Sequence, residues 1–190
     1  MPKIVDVEQR HRLVSEAAWR ILVRDGPTEL SVRKVAAEAG LPPSSLRYTF
    51  PTQASVRDTA VGLLVDRLSA RVALTEHEPS RLERARAILL ELLPLDDERR
   101  MEMEVLLALG TMAMTDHALQ RSHLHVLHAV RDLCAQALEL ADVPLTELQA
   151  THALVDGLAL HLVRQVPADD TSWAVGILTT HVDRLRALSV

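Results

Sequence analysis

Along its whole length the chain repeats apolar positions at helical spacing, and no segment alternates them as a half-buried strand would. Leu13, Val14, Ala17, Ala18, Ile21 and Leu22 form one stripe over Val7 to Arg24. Asp25-Gly26-Pro27 predicts its stop, because Gly tolerates left-handed φ and Pro cannot extend the hydrogen-bond ladder. Ser31 predicts the cap of a second helix, a third spans roughly Pro43 to Tyr48, and Thr52 predicts the cap of a fourth that runs to near His77. A fifth begins at Pro79 and halts at Pro94. The sixth, ERRMEMEVLLALGTMAM, is apolar nearly all round beyond Glu104, which predicts burial. A seventh covers Asp116 to Leu140, an eighth follows Pro144, and Asp169-Asp170-Thr171-Ser172 predicts the cap of a ninth. About nine helices with short connections, and no internal repeat, predict an all-α fold.

Residues 31–50, SVRKVAAEAGLPPSSLRYTF, depart from this plain amphipathic pattern. Val32, Val35, Ala36 and Ala39 make one apolar face, and Ala36 is small where two helices must approach closely. Gly40 stands where a tight turn needs positive φ. Leu41 offers an apolar plug, and Pro42-Pro43 opens the next helix where a missing N–H costs little. That short helix carries Ser44, Ser45, Arg47, Tyr48 and Thr49, side chains suited to phosphates and base edges. The spacing is that of a helix-turn-helix, whose second helix fits the DNA major groove. An ordinary pair of packed helices would read the same way on this segment alone.

At 190 residues, with 48% hydrophobic and 25% charged residues, the chain suits a folded globular protein and not a disordered one. No apolar run is long enough to span a bilayer, and MPKIVDVEQRHRL has no signal-peptide core, so no membrane partner and a cytoplasmic location are expected. Cys134 is alone, which excludes an intrachain disulfide and reads as a buried small residue. The net charge of −5 looks wrong for a nucleic-acid binder until it is divided. Residues 1–57 hold nine basic against six acidic groups, a net +3, leaving −8 on the remainder. Phosphate binding depends on the local field, so a basic head on an acidic body is compatible with DNA recognition.

The segment RHRLVSEAAWRILVRDGPTELSVRKVA, the helix-turn-helix and FPTQASVRDTAVGLL together resemble the N-terminal domain of the TetR family of bacterial transcriptional regulators. The matching residues are Ala17-Ala18, Gly26, Ser31, Val35-Ala36, Ala39-Gly40, Leu46 and Phe50. Arg47 stands where a Tyr is usual, Thr49 where a His is usual, and Gln53 where a Lys is common. The resemblance implies a DNA-binding domain over residues 1–57 and a helical effector-binding and dimerisation domain over 58–190. It implies a homodimer, most simply a repressor, that binds a palindromic operator and releases it when a small effector fills the body. Ser31 and Thr49 join the DNA-binding set; Arg33, Ser45, Tyr48 and Gln53 are expected mainly on phosphates, and Pro43, Ser44 and Arg47 nearer base edges. The last two helices resemble the family's pairing helices, with Leu148, Val155, Ala159 and Leu162 on one and Ile177, His181 and Arg184 on the other as the expected interface; packing within one subunit is the simpler alternative. The C-terminal half also looks similar to choline/betaine-type regulators, although the shortage of aromatic rings argues against choline. An apolar or weakly polar effector is expected, in a pocket drawing on Glu104, Met112, His117, His123, His128, Asp156 and Trp173.

Other chemistry finds little support. His123, His125 and His128 lie on one helix at spacings that do not chelate, and no zinc, nucleophile-elbow or phosphate-loop pattern is present. Neither catalysis nor a metal or other cofactor is expected. The rival reading is a helical interaction or small-molecule-binding protein without DNA reading.

Overall fold

The computed structural model describes residues 7–166 and 169–189, except for the side chains of Ala118 and Ser122. Lys3 and Asp6, which enter the charge count above, lie outside the described residues. Nine α-helices and no strand occur among those described: α1 (Val7–Asp25), α2 (Val32–Glu38), α3 (Pro43–Thr49), α4 (Gln53–Leu74), α5 (Arg81–Glu91), α6 (Asp97–Ala113), α7 (His117–Leu140), α8 (Leu148–Arg164) and α9 (Ser172–Leu188). Short 3₁₀ turns occupy Pro27–Glu29, Thr75–His77 and Leu145–Glu147. The chain up to Asp66 forms one compact unit with Glu104–His125, and Arg67–Met103 forms a second with the chain from Val126 on. α4, α6 and α7 therefore contribute residues to both units.

In the first unit, α1 buries Val14, Ala17, Ala18, Trp19, Ile21 and Leu22, the stripe its sequence carries. They join Leu30, Val35, Ala36, Leu46, Phe50, Val56, Ala60 and Leu64 in the core. Ser15 is buried with them, and it and Trp19 each donate to a carbonyl of α4: Ser15 Oγ to Thr59 O at 2.9 Å and Trp19 Nε1 to Ala60 O at 3.0 Å. Because a buried donor must be satisfied, these two bonds fix the rotation of α1 against α4. Thr52 caps α4 as expected, its Oγ1 accepting from the Ser55 amide at 3.1 Å. The α-helix ends at Leu74, and the remaining turn to His77 is 3₁₀.

α6 corrects the expectation of burial all round. Val105, Leu109 and Ala113 form its buried stripe, while Leu107 is 37% exposed and Met114, just past the helix, 85%. An apolar sequence fixes what a helix can bury, not how many neighbours reach it.

The second unit has its own core, in which Ala85, Ile88, Leu89 and Leu93 meet Cys134, Leu138, Leu158, Ala174, Leu178 and Val182. Ser80 caps α5 by accepting from the Glu83 amide at 3.2 Å, and α5 ends at Glu91, short of the expected stop at Pro94. Arg71 bridges Glu91 at 2.9 Å and Glu102 at 2.7 Å. Arg100 donates to the carbonyls of Leu162, Val163 and Gln165, closing the C-terminal end of α8. Burial of the Cys134 thiol pushes its pKa up to about 12, which keeps it protonated and inert. Thr151 Oγ1 and His181 Nε2 lie 2.9 Å apart between α8 and α9. Burial holds His181 below the ordinary histidine range against the weaker opposing pull of Glu147.

Leu148, Val155, Ala159 and Leu162 are all buried in the core of their own unit. They are thus intrachain core, the simpler of the two readings the sequence allowed. One arc of α8 carries Leu148, Val155, Leu158, Ala159 and Leu162 and the others carry Gln149, Asp156, His161 and Arg164, so periodicity shows which arc is buried but not whether the chain's own core or a partner covers it. On α9, Ile177 (44% exposed) and Arg184 remain at the surface with half-buried His181 between them.

Trp19→Phe keeps the ring in the core but removes the donor to Ala60, and should lower unfolding free energy by about 1 kcal/mol in urea titrations. His181 is a pH-sensitive element of the second unit. Its folded pKa is depressed, so its contribution is full above the unfolded value near 6.5 and is lost as pH falls through the folded value. Urea midpoints from about pH 8 to 5 should fall on the acid side, and His181→Gln should flatten that part of the slope; equal slopes would remove His181 from the account.

Candidate nucleic-acid interface

Ser31 takes extended backbone (φ −146°, ψ 152°) and accepts from the Lys34 amide at 3.3 Å, so it caps α2 and leaves its own hydroxyl proton available. α2 ends in a Schellman-type turn: the Leu41 amide returns to Ala36 O at 2.9 Å, and Gly40 takes φ +66°. Pro42 and Pro43 then open α3, whose Leu46 is buried. Phe50, also buried, closes it, its backbone amide donating a hydrogen bond to Leu46 O at 2.7 Å. With Leu46 and Phe50 turned inward, the opposite arc carries Pro43, Ser44, Arg47 and Tyr48, all exposed; Tyr48 is 93% exposed. Ser45 and Thr49 sit half-buried on the flanks, and Arg33 is exposed on α2. The ring of His11 lies 5.0 Å from that of Phe50, so α1 supports the end of α3 directly.

The charges of this region are less available than their number suggests. Arg20 and Arg24 both reach Glu38, at 2.8 and 3.1 Å, and their hydrogen bonds hold that carboxyl below its usual range. Arg24 also pairs with Asp25 at 2.9 Å, Lys34 pairs with Glu29, and Arg57 is buried against Asp116. Arg10, Arg12, Arg33 and Arg47 have no acidic partner among the described residues.

Gln53 is placed differently from the expectation. Its side-chain amide donates to the carbonyl of Leu30, tying the start of α4 to the chain leading into α2. The donor expected on a phosphate is therefore engaged within the protein. A long polar side chain at a helix start reads as ligand-directed in sequence, because an unpaired carbonyl 23 residues away is invisible there.

The residues expected to line an effector pocket are not gathered in either unit. Glu104, Met112, His117 and His123 belong to the first, and His128, Asp156 and Trp173 to the second. His117 and His128 are exposed, and His117 faces its own neighbour Gln120 at 3.4 Å. The His123 ring packs so closely on Gly110 that an added Cβ would lie 2.8 Å from it. Asp156 is exposed, 3.6 Å from His152 on the same helix. Trp173 packs half-buried against the second core, with no partner for its buried Nε1. The first unit instead holds a groove of about 450 Å³ between α4 and α7, lined by Asp58, Val61, Gly62, Val65 and Asp66 on one side and Arg121 and His125 on the other. Its signal in the sequence was the i, i+3, i+4, i+7, i+8 series on α4, in which Gly62 leaves open space. No group of three or more potential metal ligands occurs among the described residues, and no helix among them is long and apolar enough to cross a membrane.

The comparisons with known proteins agree with this geometry. The family described as "BetI-type transcriptional repressor, C-terminal", a TetR C-terminal family, matches residues 81–187. The HTH-type transcriptional regulator PksA of Bacillus subtilis (strain 168) is 34% identical over 171 residues, covering 85% of this chain and 82% of that protein. A transcriptional regulator from Rhodococcus sp. Rha1 superposes with a TM-score of 0.81 at 25% identity, covering 95% of this chain and 98% of that one. The multidrug binding protein EbrR, solved in complex with malachite green, does so with a TM-score of 0.67 at 27% identity over 92% and 98% of the two chains. A helix-turn-helix with an exposed reading arc, continued by a C-terminal half of this type, decides between the two readings the sequence left open: the chain belongs to the TetR family and is a DNA-binding transcriptional regulator, not an enzyme.

Proposed function

We propose that the chain is a homodimeric repressor that lays α3 into the major groove of a palindromic operator and lets go when a small molecule occupies its body. The exposed arc of α3 carries this reading: Arg47 is unpaired at the surface with Ser44 and Tyr48 beside it, while Leu46 and Phe50 hold the helix from behind. Arg47, Ser44 and Pro43 face base edges. Arg33, Ser45, Tyr48, Thr49 and the Ser31 hydroxyl serve phosphates, and Gln53 contributes its backbone amide at the start of α4 in place of its side chain. A twofold pair is needed to present two such helices to successive major grooves, roughly 34–36 Å apart. The surface stripe Ile177, His181, Arg184 on α9 supplies one face of that pairing, with the open positions Gly157 on α8 and Gly176 on α9 allowing close approach.

The effector is an apolar or weakly polar molecule. The α4/α7 groove supports this, with valines for its apolar part and Asp58, Asp66, Arg121 and His125 for a polar group. The complex of EbrR with malachite green, a bulky and largely apolar organic cation, supports a body that takes up an organic molecule, with Asp58 and Asp66 able to face any positive charge. A few kcal/mol of differential affinity between the DNA-bound and released states is sufficient for control.

The test is binding to DNA flanking the chain's own gene across a salt series, beside Arg47→Ala. The expected result is tight binding to one palindrome, weakened steeply by salt. The substitution should cost about 1–3 kcal/mol and relax specificity at one base pair. An even loss across sequences, with the salt slope reduced by about one, moves Arg47 to a phosphate. Unchanged affinity removes it from the interface.

A further inference from the structure

Arg57 counts in the sequence as one of the basic groups of the DNA-binding segment, yet it is only 8% exposed. It lies four residues into α4 and donates through Nη1 to Asp116 Oδ2 at 2.7 Å. Its Nε is buried with no acceptor. Asp116 occupies the bend between α6 and α7. Its amide donates to Met112 O at 2.9 Å, and its carbonyl accepts from Leu119 and Gln120 at 3.0 and 3.2 Å, so its backbone belongs to both helix ends. The same two turns of α4 are held elsewhere by α1, through Thr59 and Ala60, and by the chain before α2, through Gln53. Only Phe50, Pro51 and Thr52 separate α3 from α4, so a shift of these turns is passed to the reading helix with little slack.

We propose that Arg57 is a positioning residue for DNA reading: its ion pair with Asp116 clasps the first turns of α4 to the α6–α7 bend and so sets the pose of α3, without Arg57 touching DNA. A guanidinium buried with a single carboxylate cannot lose that partner cheaply, because an uncompensated charge would remain in the interior. Turning toward water to escape that cost takes the start of α4, and α3 with it, out of register. The clasp also stands beside the proposed effector groove: Asp58, the next residue along α4, lines one wall, and Arg121, five residues beyond Asp116, lines the other. The inference rests on the DNA-reading function and not on the effector.

The experiment uses full-length chain and a duplex selected by the wild type from random DNA. Arg57→Met, Asp116→Leu, Asp116→Asn and the double variant Arg57→Met/Asp116→Leu are compared by dissociation constant across a salt series, with circular dichroism and melting curves showing each to be folded. Each single variant should lose about tenfold in affinity with an unchanged salt slope. The double variant should regain affinity over Asp116→Leu alone, since it leaves no unpaired guanidinium in the interior. Asp116→Asn keeps the shape of a partly exposed side chain and carries the test if Arg57→Met does not fold. Full affinity in folded single variants, with only the melting temperature reduced, overturns the proposal. So does a salt slope reduced by about one in Arg57→Met with Asp116→Asn unaffected, since Arg57 would then contact phosphate. A wild type that selects no DNA overturns the DNA reading itself and the clasp with it.

Discussion

Seven residues are too few for a helix to persist in water without help, because the cost of nucleation is not recovered over so short a ladder. α3 has that length, and in the proposed function it is the element that reaches the bases. Its order is therefore borrowed. Leu46 and Phe50 insert into a core built by α1, α2 and α4, His11 backs Phe50, and Pro42-Pro43 removes backbone freedom before the helix begins. Much of the first unit can be understood as the support for this one short helix. Ser15 and Trp19 lock α1 to α4, Arg20 and Arg24 lock α1 to α2 through Glu38, and Gln53 joins α4 to the chain before α2. Few of these contacts could face DNA themselves.

The elements were legible in the sequence because helical period, capping residues and turn glycines are local signals. Ser31, Gly40, Pro43 and Thr52 mark boundaries that the structure reproduces to within a residue, and it turns Leu46 and Phe50 inward, which leaves Pro43, Ser44, Arg47 and Tyr48 exposed on one arc. What the sequence could not supply was the neighbour on the other side. The arc of α8 that holds Val155 and Ala159 is its most apolar one, but an apolar arc reads the same whether its own core or a partner covers it, so period alone could not separate the two. Arg57 and Gln53 sit in a basic, polar stretch where a DNA role is the natural expectation. Their partners, Asp116 and the Leu30 carbonyl, lie 59 and 23 residues away, and only the tertiary fold brings them close.

The pocket was hardest to foresee for a related reason. Titratable and soft side chains such as His123, Met112 and Trp173 attract notice individually, but a cavity is made by what is missing. Gly62 and the small spread of valines along α4 leave space that no single residue announces, and the two walls come from segments about sixty residues apart. The histidines instead fill gaps or face solvent, as the ring of His123 against Gly110 illustrates.

The pairing of cations within the first unit has a kinetic consequence. A regulator spends most of its life on DNA that is not its operator, and that hold is set almost wholly by neutralised phosphates. With Arg20, Arg24 and Lys34 occupied by carboxylates and Arg57 buried, few guanidinium groups among the described residues of this segment remain to grip arbitrary sequence, and the acidic remainder of the chain, at −8, opposes it. Such a molecule leaves wrong sites quickly and searches more by hopping through solution than by long slides along the duplex. Its residence on the right site must then come from the shape and hydrogen bonding of one short helix, which makes the exact seating of α3 the quantity that selection has to protect.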